Sequence, residues 1–240
     1  MKMIQKTDDK VVFQTKMEES LANAIRRHLN HIPILAVDKL EISKNDSPLY
    51  DETIAHRIGL IPLKMDKPVN EKTSVKLKLV VKKEGFVYSK ELSGAVKVAY
   101  GEIPITSLEK GQELELTAIV KAGRGHEHSK FSPGLMFYRN VFNIKIEKGC
   151  PQEVVEVCPQ EVLKLKEGIV VVKDNSKCDM CDACTEMCEK QGKDSIKISP
   201  TKELRITLES FGQLNVEEML KRSVDALKKD LKEVSKKLEK

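Results

Sequence analysis

Four of the six cysteines fall within eleven positions, Cys178, Cys181, Cys184 and Cys188, in the stretch KCDMCDACTEMCEK; the other two are Cys150 and Cys158. The spacing is C-x2-C-x2-C-x3-C. Three successive thiolates separated by two residues can turn inward around a polynuclear iron–sulfur centre while backbone amides point at its sulfurs. A tetrahedral zinc site asks for less, since two separate C-x2-C pairs suffice. The run therefore favours a cluster, with zinc as the alternative. The opening residues MKMIQKTDDK lack the apolar core of a secretory signal, and apolar runs such as GIVVV are too short to span a bilayer. A cytoplasmic setting is expected, and there clustered cysteines bind metal rather than form a disulfide framework.

In two-cluster proteins of the bacterial ferredoxin type, the fourth cysteine of such a run precedes proline and ligates the other cluster. Here Cys188 is followed by Glu189, and the Cys-Pro pair stands upstream as Cys158-Pro159 in VVEVCPQEVLKLKEG. By that cross-over logic Cys158 joins Cys178, Cys181 and Cys184 around one 4Fe–4S cluster, or a 3Fe–4S cluster if one thiolate is badly placed. The segment between them, EVLKLKEGIVVVKDNSK, reads as two strands and a turn. Cys150 and Cys188 are left over. In the rival assignment Cys188 is the fourth ligand and Cys158 is free.

The elements that must position this site follow from periodicity. DKVVFQTK reads as a strand, MEESLANAIRRHLNHIP as a helix ended by Pro33, and ILAVDKLEI as a strand again. A turn-rich entry in KNDSPLYDETIAHRIGLIPLKMD precedes a short amphipathic helix, and from Lys72 to about Lys148 alternation dominates, as in SVKLKLVVK. Residues 149–195 break the composition: ten acids against six lysines make a net −4 in a chain of net +5. Such a break between strands marks an inserted module. ELRITLES resumes as a strand, and a helix closes the chain with Asn215 as cap and Glu218 three residues on. Its apolar positions, Leu220, Val224, Leu227, Leu231, Val234 and Leu238, recur at gaps of 4, 3, 4, 3, 4. That is the period of a narrow seam meeting another helix.

Bulk properties exclude several classes. The excess of 42 basic over 37 acidic residues is weak, and aromatics are 4% with no tryptophan, which counts against base stacking on a single strand. Nucleotidyl transfer needs clustered aspartates holding two metals, whereas Asp46 and Asp51 flank a proline-containing turn. No phosphate-binding glycine loop or G-x-S-x-G elbow is present, so no catalytic residue is assigned.

With these features in place, the chain resembles the D-subunit family of archaeal DNA-directed RNA polymerase, relatives of the bacterial alpha subunit. The likeness rests on NDSPLYDETIAHRIGLIPL, SLANAIRRHLNHIPILAVDKLEI, GRGHEHSKFSPG and ESFGQLNVEEMLKRSVDALKKDL. It implies an α+β fold: an alpha-like dimerisation domain from both chain ends (1–42 plus 196–240), an inserted β-rich domain (43–148) and an inserted ferredoxin-like iron–sulfur domain (149–195). It also implies a non-catalytic platform subunit that pairs with a small subunit L and then contacts the large catalytic and other small subunits. No membrane and little nucleic-acid contact are implied. The pairing surface would comprise Leu21, Ile25 and Leu29 with Leu220, Val224, Leu227, Leu231 and Val234. The rival function is a ferredoxin-like electron-transfer protein, which would need a second cluster or a flavin.

Three weaker signals have mainly bland readings. His126 and His128 in HEH lack a further ligand in the sequence nearby. His28 and His31 fit helix-cap or interface positions. Arg26, Arg27 and Arg57 could pair with acids on a large subunit, or simply face solvent.

Overall fold

The computed structural model describes residues 1–65, 69–70 and 73–239; Lys72, where the β-rich reading opens, lies outside them. In chain order the elements are β1 (Lys2–Lys6), β2 (Lys10–Lys16), α1 (Glu19–His28), β3 (Ile34–Asn45), α2 (Asp51–Gly59), β4 (Ser74–Val81), β5 (Gly85–Tyr88) and β6 (Ser93–Gly94). They continue with β7 (Pro104–Leu108), β8 (Leu114–Gly123), β9 (Gly134–Ile146), β10 (Leu163–Lys166), β11 (Ile169–Val172), α3 (Ala183–Lys190), β12 (Ile196–Ser210) and α4 (Val216–Leu238). The result is a mixed α/β fold, mostly strands. β1 has no apolar alternation to announce it, because all five of its residues are exposed.

By contacts the chain falls into two units, each assembled from discontinuous segments. The first comprises residues 1–6, 12–22 and 137–207. Its frame is the four-stranded sheet of order β1-β2-β12-β9, to which β2, β9 and β12 give most of their length. The acidic, cysteine-bearing segment belongs to the same unit. Its hairpin pairs Leu163 with Val172 and Lys166 with Ile169. The turn residues Glu167 and Gly168 have φ of 53° and 76°, the positive values that two-residue turns of the I′ class need to match strand twist. Phe142, Val154, Val162, Leu163, Val170 and Ile196 form the apolar core, and Cys178 and Cys188 are buried in it.

The second unit comprises residues 7–11, 23–136 and 208–240. Its sheet runs β3-β8-β4-β6, with β5 and β7 pairing separately. Leu77 and Leu79 of β4 and Leu114, Leu116, Ala118 and Val120 of β8 are fully buried, as their alternation in the sequence predicts. Ile54 and Ile58, four apart on α2, are buried too, and α2 packs against β3. The turn ahead of α2 is tied by Asn45, whose Oδ1 accepts from the Ser47 amide at 3.1 Å while its Nδ2 donates to the Leu49 carbonyl at 2.9 Å. Two glycines permit close packing: a Cβ on Gly123 would stand 2.6 Å from the Phe131 ring, and one on Gly134 would stand 2.1 Å from the Glu209 carbonyl oxygen.

α4 begins as its sequence predicts, with Asn215 Oδ1 accepting from the Glu218 amide at 2.8 Å. The reciprocal half of the box is absent, because the Glu218 carboxylate accepts from Arg222 Nε at 2.8 Å instead. The helix turns Val216, Met219 and Ser223 inward, and Ser223 Oγ donates to the Ile25 carbonyl at 2.6 Å.

Candidate metal centre

The first unit brings four cysteines to one cavity: Cys158, Cys178, Cys181 and Cys184, together with Ile144, Val162, Leu163 and Ile198. Each cysteine has a local reason for its position. Cys158 follows a single turn of 3-10 helix at Gln152–Val155. Cys178 follows a second such turn at Asn175–Lys177, capped by Asp174, whose carboxylate accepts from the Ser176 amide at 3.0 Å. That turn is also held from the sheet: Arg139 Nη2 donates to the Ser176 carbonyl at 2.8 Å, and Arg205 Nη1 to Ser176 Oγ at 3.0 Å. Between the later cysteines, Met180 and Asp182 adopt φ of 56° and 59°. These left-handed residues bend the chain between successive cysteines. Cys184 then sits in the first turn of α3.

The electrostatics suit bound metal. Burial, followed by the neighbouring Cys158 and Cys178 thiols, pushes the Cys184 thiol up to about 11. Burial likewise raises Cys178, which the charges of Asp179, Cys158 and Cys181 also push upward. Four thiolates gathered beside an apolar wall are therefore unfavourable unless cations neutralise them. Backbone donors already point at the sulfurs: the Val162 amide lies 3.4 Å from Cys158 Sγ, and the Met180 and Thr185 amides stabilise the thiolates of Cys178 and Cys184. Amide–sulfur hydrogen bonds and an apolar surround are the features that tune protein-bound iron–sulfur clusters. The residues present fit such a group.

Cys188 is not at the cavity. It is 1% exposed in the core and accepts from Ser195 Oγ at 3.5 Å. Cys150 is its neighbour, and burial together with the nearby Cys188 raises the Cys150 thiol. Both are free cysteines, and neither lines the cavity.

The apolar residues assigned to pairing divide into two sets. Ile25 and Leu29 are 6% and 2% exposed, already covered within the chain, whereas Leu21 is exposed. On α4 the seam runs alongside the buried residues, and burial fades along the helix: Leu220, Val224 and Leu227 are half-buried, and Leu231, Val234 and Leu238 are 60%, 55% and 83% exposed. Of the arginines, Arg57 donates to the Ile105 carbonyl at 2.8 Å and Arg26 to Asn23 Oδ1 at 2.9 Å.

The histidines of HEH part company. His128 Nδ1 accepts from the Lys130 amide at 3.1 Å, while His126 lies edge-on to His31 with ring centroids 5.5 Å apart. His31 in turn adjoins His28 and Asp230. Burial and the charge of His28 hold the His31 imidazole below its usual value, against the raising effect of Asp230. No sequence signal joins these residues, since His28 and Asp230 are 202 positions apart.

The RNA polymerase Rpb3/RpoA insert domain matches residues 23–137. DNA-directed RNA polymerase subunit Rpo3 of Methanosphaera stadtmanae is 35% identical over 78% of this chain and 78% of its own length. This chain belongs to the Rpo3 family. The Rpo3 of Archaeoglobus fulgidus is 30% identical over 99% of this chain and 97% of its own length, and that of Methanobrevibacter smithii 30% over 92% and 91%. The chain is thus akin to Rpo3 from end to end, cysteine segment and terminal helix included. Among the described residues no helix is long and apolar enough to cross a membrane.

Proposed function

We propose that this chain is the platform subunit of a cytoplasmic DNA-directed RNA polymerase: it carries no catalytic residue, pairs with a small L-type subunit, and offers the pair to the large catalytic subunits. The observation that carries the reading is the outward seam of α4. Its second half, beyond Ser223, the last buried residue of the helix, leaves Leu231, Val234 and Leu238 in solvent. An apolar stripe of this kind is ordinarily the core of an obligate interface. Within the same reading, Cys158, Cys178, Cys181 and Cys184 hold one 4Fe–4S or 3Fe–4S cluster in a ferredoxin-like insertion, which stabilises that segment. When bound, the cluster supplies positive charge and covalent cross-links. The chain's own residues supply thiolates, amide donors and the apolar wall.

The test is affinity purification of the chain from native extract. Wild type should bring down a small partner and two very large polypeptides. Leu231→Asp with Val234→Asp, both at exposed positions that leave the fold alone, should reduce recovery of the small partner at least about tenfold, since each buries a charge in an apolar interface. Undiminished recovery would count against the seam.

A further inference from the structure

Within the second unit, the end of α1 and the turn after it meet α4 at a cluster with no part in the reading above. His28 Nδ1 lies 2.7 Å from the Ala24 carbonyl oxygen. A carbonyl only accepts, so Nδ1 carries the proton and Nε2 presents its lone pair. Nε2 faces Asp230 Oδ2 at 3.2 Å, and His31 Nδ1 faces the same oxygen at 3.3 Å. Two acceptors at that separation need a cation between them or a second proton on His28. The ligand atoms of all three residues fall within 4.8 Å of one another, the one such group among the described residues.

We propose that His28 Nε2, His31 Nδ1 and Asp230 Oδ2 bind a single divalent transition-metal ion, for which zinc is the best fit. In a tetrahedral zinc site with bonds of about 2.0 Å, ligand atoms stand about 3.3 Å apart, which is the separation of both histidine nitrogens from Asp230 Oδ2. The Nδ1–H to carbonyl bond of His28 is the outer contact that commonly fixes tautomer and ring orientation in metal-bound histidine. Two imidazoles and one carboxylate suit zinc better than magnesium or calcium, which prefer all-oxygen shells. All three side chains are only partly buried, so an ion can enter from solvent and keep a water as its fourth ligand. Such an ion clamps α4 at Asp230, one residue before the exposed seam begins at Leu231.

The test uses the tag-free full-length chain, purified anaerobically with its cysteine-held metal in place, and cobalt(II) as probe. Cobalt held by nitrogen and oxygen absorbs in the visible without the intense sulfur-to-metal charge transfer of a cysteine site, so the two sites are distinguished by spectrum. One equivalent should bind with a nitrogen–oxygen spectrum and be displaced by zinc. His31→Gln and Asp230→Asn should each weaken binding at least about tenfold. On the unaltered chain, paramagnetic broadening should strike the imidazole signals of His28 and His31 first, a readout that needs no variant to fold. The proposal is overturned if no nitrogen–oxygen spectrum develops, if both variants bind as wild type does, or if the broadening appears elsewhere.

Discussion

Cys158 and Cys188 show how two residues of one type in one segment can have different tasks. Cys158 lines the cavity and accepts an amide hydrogen bond, whereas Cys188 is sealed in the core against Ser195 and Cys150. Cys158→Ser should therefore strip iron from anaerobically purified protein, and Cys188→Ser should keep the iron but melt earlier, because a hydroxyl replaces a buried thiol at a cost of about 1–3 kcal/mol. Iron and sulfide analysis beside thermal melts checks both halves; equal iron loss would restore Cys188 as ligand. Asp38 makes a second residue-scale case. It is the extra residue of a β-bulge, where the register of β3 against β8 jumps from Val37 to Lys39. Burial alone would raise its carboxyl, but Lys130 at 3.1 Å and Lys121 at 3.2 Å hold it below the usual carboxylate range. A depressed folded value means the stabilisation is complete above the unfolded value of about 3.9 and is lost as pH falls through the lower folded one. Asp38→Asn should lower stability by about 1 kcal/mol at neutral pH, and the gap from wild type should close in denaturant melts taken towards pH 3 or below.

At the scale of elements, the sequence was legible where one local rule governed. Alternation on β4 and β8 announced their buried faces, and Asn215 announced the start of α4. Cys158, Cys178, Cys181 and Cys184, singled out by their spacing and the upstream Cys158-Pro159, all line one cavity, and that they hold a cluster is the proposal made above. It was illegible where partners come from distant segments. Ile25 and Leu29 have the spacing of an interface stripe and are buried within the chain, and periodicity does not say which apolar face of a helix meets its own core. Nothing near His28 in sequence points to Asp230. β1 carries no pattern because it buries nothing. The common cause is that hydrophobic period and cap chemistry are local, whereas convergence of side chains is a property of the assembled backbone.

For the whole molecule, the decisive arrangement is that all six cysteines lie in the first unit, while the seam of α4 lies in the second. Each unit has its own apolar core: Phe142, Val154, Val162, Leu163, Val170 and Ile196 in one, and Leu77, Leu79, Leu114, Leu116 and Ile54 among others in the second. The core of the second unit contains no metal ligand of the cysteine set. Binding of the cysteine-held metal, where it is linked to folding, should then be linked to one unit only. Within the first unit the cysteine segment is short, and Arg139 and Arg205 anchor it at Ser176; in the proposed reading thiolate–metal bonds supply the rest of its order. Anaerobic chelation of iron should therefore raise amide hydrogen exchange across residues 150–195 by an order of magnitude or more, and leave β8 and the first three turns of α4 protected, as read by exchange mass spectrometry. Binding of the small partner should survive the same treatment within about twofold, since the seam stays on a folded helix. If β8 and α4 lose protection together with the cysteine segment, the metal centre supports the entire subunit, and redox loss of the cluster becomes a means of controlling its assembly.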